Sequence, residues 1–232
     1  MVHYEVFPTW SFDWSPVGTQ RALLANMRIE AENEYPTPGT QALEKGGFYV
    51  QWHFLEGCNL RCRHCYQESY EDSMLEDGDL LAIADSLDTA MQRWNRVGRV
   101  SLTGGEPFMV PRQLSLLMAR FEASPYFESI GILTNGTLVD SDIVESVRRH
   151  KKVREVQVSL DGATANTHDA IRGKGSFSRA IEGVERLRAG GIRVAIMFTL
   201  TRRNQHEALE IIDVAGRLGC ICLLYTSDAA DE

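Results

Sequence analysis

The 232-residue chain has no apolar run approaching the ~20 residues that a membrane helix needs. Its first residues, Met1-Val-His-Tyr-Glu5, lack the basic and apolar regions of a secretion signal, so a cytoplasmic setting is the default expectation. A basic excess is missing too: 24 Lys and Arg stand against 32 Asp and Glu, a net charge of -8, which argues against a nucleic-acid platform. There is no G-x-G-x-x-G after the first apolar segment, which removes the usual reason to expect a dinucleotide fold. Cysteines are few, five in all, and three of them fall within the eight residues from Cys58 to Cys65. Clustered cysteines in a chain with no export signal read as metal ligands rather than disulfides. What the chain does hold is ample apolar content, 44% of residues, enough for one sizeable core.

The cysteine cluster reads G-C-N-L-R-C-R-H-C-Y-Q over Gly57 to Gln67, which places Cys58, Cys62 and Cys65 in a C-x3-C-x2-C array. Three thiolates can wrap one soft metal centre but leave a tetrahedral or cubane site one protein ligand short. Structural zinc sites are usually closed by four protein ligands, and His53 or His64 could complete such a set, so zinc stays open at this point.

A strand and helix alternation begins near Gly46. Strands are expected at Phe48–Phe54, Arg99–Leu102, Ser129–Leu133, Glu155–Ser159 and Ile192–Phe198, with a sixth starting at Cys220-Ile221. Helices are expected from about Asp79 with Gly98 as the stop, from Pro111 to about Ala123, and from Asp140 to near Lys151. A further helix has Ser176 as its cap and Gly190-Gly191 as its end, and another starts at a capping box of Asn204 and Glu207 and closes at Gly219. Repeated units of this kind imply parallel strands, in a barrel or in an open doubly wound sheet. Each unusual turn follows a strand: the cysteines after the first, Gly104-Gly-Glu-Pro107 after the second, Thr134-Asn-Gly136 after the third, Ser159-Leu-Asp-Gly162 at the end of the fourth. In α/β barrels that rim is where separated segments converge on one ligand.

Residues 1–44 read as an extension of unknown role, with Phe7, Trp10, Phe12 and Trp14 crowding aromatics and Arg21 to Glu32 a short candidate helix. Residues 45–221 form the core, an incomplete one. Residues 222–232 look like one reading frame of a sequencing adapter, so the sixth strand is expected to be interrupted and the fifth to lack its neighbour. Cys222 then falls in the scar and Cys220 is a strand residue.

The motifs together, in order and spacing from Phe48 to Gly219, resemble the radical S-adenosylmethionine (SAM) superfamily, most closely its peptide and protein maturases with a C-terminal SPASM-type extension. The resemblance implies a partial (β/α)6 TIM-like barrel and a [4Fe-4S] cluster on Cys58, Cys62 and Cys65, whose fourth iron takes the amino and carboxylate groups of SAM. It implies reductive cleavage of SAM to a 5'-deoxyadenosyl radical, with no protein side chain acting as a catalytic group. Gly104, Gly105, Glu106 and Pro107 would receive the methionine ammonium, with Glu106 offering its carboxylate. Ser159 and Asp161 would meet the ribose, Thr134 and Asn135 would line the rim, and Met197 to Thr199 would face the adenine. His64 takes the aromatic or imidazole position before the third cysteine. Arg172, in H-D-A-I-R-G, resembles an arginine aimed at the SAM carboxylate, with a surface ion pair as the alternative. His168 and His206 are expected on exposed helix starts without a catalytic role. Implied partners are a peptide or protein substrate and a ferredoxin or flavodoxin electron donor, with no nucleic acid and no membrane. A maturase of a tetrapyrrole or other small cofactor shares the same core, and a zinc-stabilised binding module is the alternative from another class.

Overall fold

The computed structural model describes residues 47–67, 70 and 75–226, with the backbone alone for 223–226. The expectations for residues 1–44, the aromatic crowd and the candidate helix among them, lie outside the described residues, as does the end of the adapter-like tail.

Six parallel strands stand side by side in chain order: β1 (Phe48–His53), β2 (Gly98–Thr103), β3 (Phe127–Thr134), β4 (Val153–Ser159), β5 (Val194–Leu200) and β6 (Ile221–Thr226). Helices connect them: α1 (Asp77–Trp94), α2 (Pro111–Ala123), α3 (Ser141–Arg148), α4 (Ala165–Arg172), α5 (Ser176–Ala189) and α6 (Glu210–Arg217). Sequential order with a helix between successive strands is the parallel α/β arrangement that the alternation implied. Among the described residues β1 and β6 do not pair with each other, so the sheet is open, as a partial barrel requires. No helix among the described residues is long and apolar enough to cross a membrane.

The two faces of the sheet differ in chemistry. Side chains alternate along a strand. Val100 and Leu102, Ile130 and Ile132, Val156 and Val158, Ile196 and Phe198 are buried in one core with Leu80 and Met91 of α1, Leu117 and Phe121 of α2, and Val184 and Leu187 of α5. The residues between them are mostly polar or small and lie in register: Gln51 beside Ser101, Ser101 beside Gly131, Gln157 beside Ala195, and Ser159 beside the larger Met197. One face therefore holds the fold together, and the other is chemically fit to receive a polar ligand.

Several boundaries differ from the sequence reading. α1 stops at Asn95, which adopts the left-handed conformation at φ 50° and donates its N–H to Gln92, while Gly98 opens β2. Ser176 is not the cap of α5 but its first residue. The cap position is Gly175, and the carboxylate of Asp169, within α4, accepts from the N–H groups of Gly175 (2.6 Å) and Phe177 (2.9 Å). α4 itself was missed, because its eight residues carry little apolar periodicity and end at a glycine. Strand six is formed: β6 runs parallel to β5 from Ala195 opposite Ile221 to Leu200 opposite Thr226, so β5 has its neighbour.

Candidate metal and cofactor site

The cysteine loop leaves β1 and remains stitched to the turn that leaves β2. Phe54 N donates to Thr103 O (3.0 Å), Gly105 N to Leu55 O (2.9 Å) and Glu106 N to Gly57 O (2.9 Å). This approach explains the paired glycines. A Cβ at Gly105 would stand 1.9 Å from the Gly57 carbonyl oxygen; one at Gly104, whose φ is +147°, would stand 2.3 Å from that of Leu55. Neither position admits a side chain. Gln67 Nε2 donates to Glu56 O (3.0 Å) across the mouth of the loop, and Cys65 N to Cys62 O (3.1 Å) folds its middle.

Cys58, Cys62 and Cys65 are free and half-buried. Leu60 N donates to Cys58 Sγ (3.5 Å), Asn135 Nδ2 lies 4.0 Å from the same sulfur, and Arg172 Nη1 reaches Cys62 Sγ at 3.9 Å. Burial pushes the Cys58 and Cys62 thiols above their ordinary range. Among the described residues no three Cys, His, Asp or Glu are drawn together as a finished ligand set. The donor chemistry nonetheless fits a soft metal cluster: three thiols on one loop, with N–H donors turned to two of the sulfurs. His64 Nδ1 is buried without a hydrogen-bond partner.

Beneath the loop sits Glu106, fully buried. Its carboxylate accepts from Phe108 N (3.0 Å), Thr134 Oγ1 (2.6 Å) and Asn135 N (2.7 Å). Burial pushes its carboxyl up while these donors pull it back. The carboxylate expected to face an ammonium is thus turned inward, where it ties the β2 turn to the β3 turn. Pro107 is buried and begins a short 3-10 turn, Pro107–Met109. Thr134 is buried and spent on Glu106; Asn135, also buried, donates to Asn59 Oδ1 (2.8 Å) of the cysteine loop.

A second buried carboxylate, Asp161, organises the other side. Its Oδ1 accepts from Thr199 N (2.9 Å), while Oδ2 meets Arg172 Nε (2.5 Å) and His64 Nε2 (3.3 Å). Burial alone would raise the carboxyl, but Arg172 and His64 hold it below the ordinary range. With no exposed surface, Asp161 faces the protein rather than an open rim. Arg172 is likewise no surface ion pair: its side chain is 11% exposed and its fork spans Asp161 and Cys62. His168, expected on an exposed helix start, is fully buried, accepts from Asp161 N (3.1 Å) and stacks edge-on against Phe177. His206 is exposed as expected.

Ser159 ends β4 half-buried on the polar face, beside Met197 of β5. Met197 and Thr199 share that face, but Phe198 between them points into the apolar core and cannot join them. Asn204 and Glu207 are not a capping box. Asn204 Nδ2 bridges Asp161 O (3.1 Å) and Thr199 O (2.9 Å), and Glu207 accepts from Ala163 N (2.6 Å) and Thr167 Oγ1 (2.7 Å) near the start of α4. The sequence carried a polar N-x-x-E signal here, but local spacing cannot reveal that Glu207 and one bond of Asn204 reach partners some 40 residues back. Also missed was the pair of Tyr66 and His53, whose hydroxyl and Nδ1 are 2.5 Å apart beside the third cysteine.

The family described as the radical SAM superfamily matches residues 52–215. The chain is 34% identical over 179 residues to an AdoMet-dependent heme synthase of Methanosarcina barkeri, covering 74% of this chain and 48% of that protein. It is 28% identical over 207 residues to the antilisterial bacteriocin subtilosin biosynthesis protein AlbA of Bacillus subtilis, covering 88% and 43%. The chain thus spans about half the length of the curated relatives it matches. Its fold matches that of Streptococcus suis SuiB bound to precursor peptide SuiA with a TM-score of 0.63 at 17% identity, over 96% of this chain and 48% of that one.

Proposed function

The chain belongs to the radical SAM superfamily, and from that premise we propose that it is the core of an enzyme that reductively cleaves S-adenosylmethionine to modify a peptide or protein. Cys58, Cys62 and Cys65 would hold a [4Fe-4S] cluster with one iron left for SAM. When bound, the group would supply the one-electron reductive cleavage of SAM by which the family generates a hydrogen-abstracting radical, the electron coming from an external donor. The protein's share of the work is binding, orientation and electrostatics.

The observation that carries this reading is the stitching of the cysteine loop to Gly104–Pro107. Because Gly105 N and Glu106 N are bound to the loop, the turn keeps a fixed station beside the three thiols. The ammonium of SAM would meet the carbonyl edge of Gly104 and Gly105, while Glu106, Pro107 and Thr134 hold that edge from below. Asn135 would stand at the rim, and Ser159 with Met197 and Thr199 would offer the polar face to ribose and adenine. Asp161, Arg172 and His64 would support the loop from the opposite side. A ferredoxin or flavodoxin would supply the electron, and the setting would be cytoplasmic.

A peptide substrate is favoured by the subtilosin biosynthesis protein and by the fold of a protein bound to a precursor peptide. The heme synthase at 34% identity supports a second reading, a maturase of a tetrapyrrole. The test is anaerobic reconstitution followed by metal analysis and incubation with SAM and reductant. Iron with 5'-deoxyadenosine as product supports the proposal; zinc without iron would favour a binding module and overturn it.

A further inference from the structure

The stretch of the cysteine loop from Cys62 to His64 is fastened to one side of the site. Arg63 N donates to Ile171 O (2.9 Å), His64 Nε2 lies 3.3 Å from Asp161 Oδ2, and Arg172 Nη1 donates to Cys62 Sγ (3.9 Å). All three fastenings end on Asp161 or on the last turn of α4. The guanidinium is a rigid fork, and here one side of it is taken by a carboxylate and the other aimed at a metal-ligating sulfur. Asp161 cannot swing away, because Thr199 N holds its second oxygen and Asn204 holds its carbonyl.

We propose that Arg172 is a positioning residue for the cluster rather than a ligand of SAM, its charge set against Cys62 Sγ and metered by Asp161. This rests on the cluster reading above. A cation beside a cluster thiolate favours the more negative, reduced state, and hydrogen bonds and net charge at the sulfurs are among the levers that set cluster potentials. The pair then makes two predictions of opposite sign. Removing the cation should make the cluster harder to reduce. Removing the anion should leave the guanidinium uncompensated and make reduction easier. A residue that only fills space does not move the potential, and one that serves SAM shows a loss of SAM affinity.

The experiment is a redox titration of the reconstituted full chain, followed by EPR without SAM, on the parent and on Arg172→Gln, Arg172→Lys and Asp161→Asn, with SAM affinity measured in parallel. The midpoint is expected to move negative in Arg172→Gln, to stay near the parent in Arg172→Lys, which keeps the charge, and to move positive in Asp161→Asn. SAM affinity in Arg172→Gln should remain within a factor of about two. A loss of SAM affinity of about tenfold or more at an unchanged midpoint would overturn the proposal and assign Arg172 to SAM. If Arg172→Gln does not retain iron, Asp161→Asn decides, and a midpoint at or below the parent's overturns it. A parent that takes up no iron overturns this proposal and the cluster reading together; a parent with a cluster whose midpoint ignores both substitutions overturns this one alone.

Discussion

The hydroxyl of Thr134 lies 2.6 Å from the carboxylate of Glu106, and this one buried contact joins the turn after β2 to the turn after β3. Two rim segments separated by 28 residues in sequence are thereby set at a fixed distance beside the cysteine loop. Thr134→Val removes the donor while nearly keeping the shape, leaving a buried carboxylate one partner short. The expected cost is about 1–3 kcal/mol, read as a lower denaturant midpoint, with Thr134→Ser close to the parent.

Glycine requirements separate sharply along the chain. Gly105→Ala would drive a methyl into the Gly57 carbonyl, which is backbone and cannot rotate away, so the loop must part from the turn. Iron uptake on reconstitution should collapse and thermal stability fall. Gly78, in the first turn of α1, has nothing within 4 Å of its missing Cβ, and Gly78→Ala should stabilise by about 0.5–1 kcal/mol. Differential scanning calorimetry of the two variants tests both signs.

Acid should loosen the Asp161 node through His168. Burial, reinforced by the Arg172 charge, lowers its pKa from the ordinary 6.5 to about 4. Between those values the unfolded chain takes up a proton that the folded chain refuses. The stability tied to neutral His168 is therefore complete above about 6.5 and is lost as the pH falls through about 4, a change on the order of 3 kcal/mol. Chemical denaturation at several pH values should show this slope in the parent and a flatter one in His168→Gln.

The five cysteines should divide into two groups. Cys58→Ala, Cys62→Ala and Cys65→Ala are each expected to lose most reconstituted iron and the visible absorbance of the cluster. Cys220→Ser is expected to retain both, since its thiol leans on Leu218 O next to β6 and has no part in the loop.

Strands and the order of units were legible because β-branched and aromatic residues at alternating positions are bounded by turn residues, and Pro111 marked the start of α2 to the residue. The cysteine spacing and the glycine pair were legible because backbone chemistry tolerates few substitutes there. What could not be read was the direction in which polar side chains turn. Glu106, Asp161, Arg172 and His168 all looked available at a rim or surface, yet each is buried against partners from other strands and helices. Asn204 and Glu207 failed in the same way. Their local spacing matched a helix start, while long-range contacts to Asp161 and Ala163 hold them elsewhere. Sequence reports which groups are present near a site; only the fold decides which are consumed in building it.

The most direct measurement is the EPR spectrum of the reduced, reconstituted chain before and after addition of S-adenosylmethionine. If Cys58, Cys62 and Cys65 hold a cluster with one open iron, SAM should shift the spectrum of the parent, and a chain lacking Cys62 should give neither signal nor shift. A cluster spectrum that SAM leaves unchanged, or a protein that binds zinc and no iron, would contradict the account.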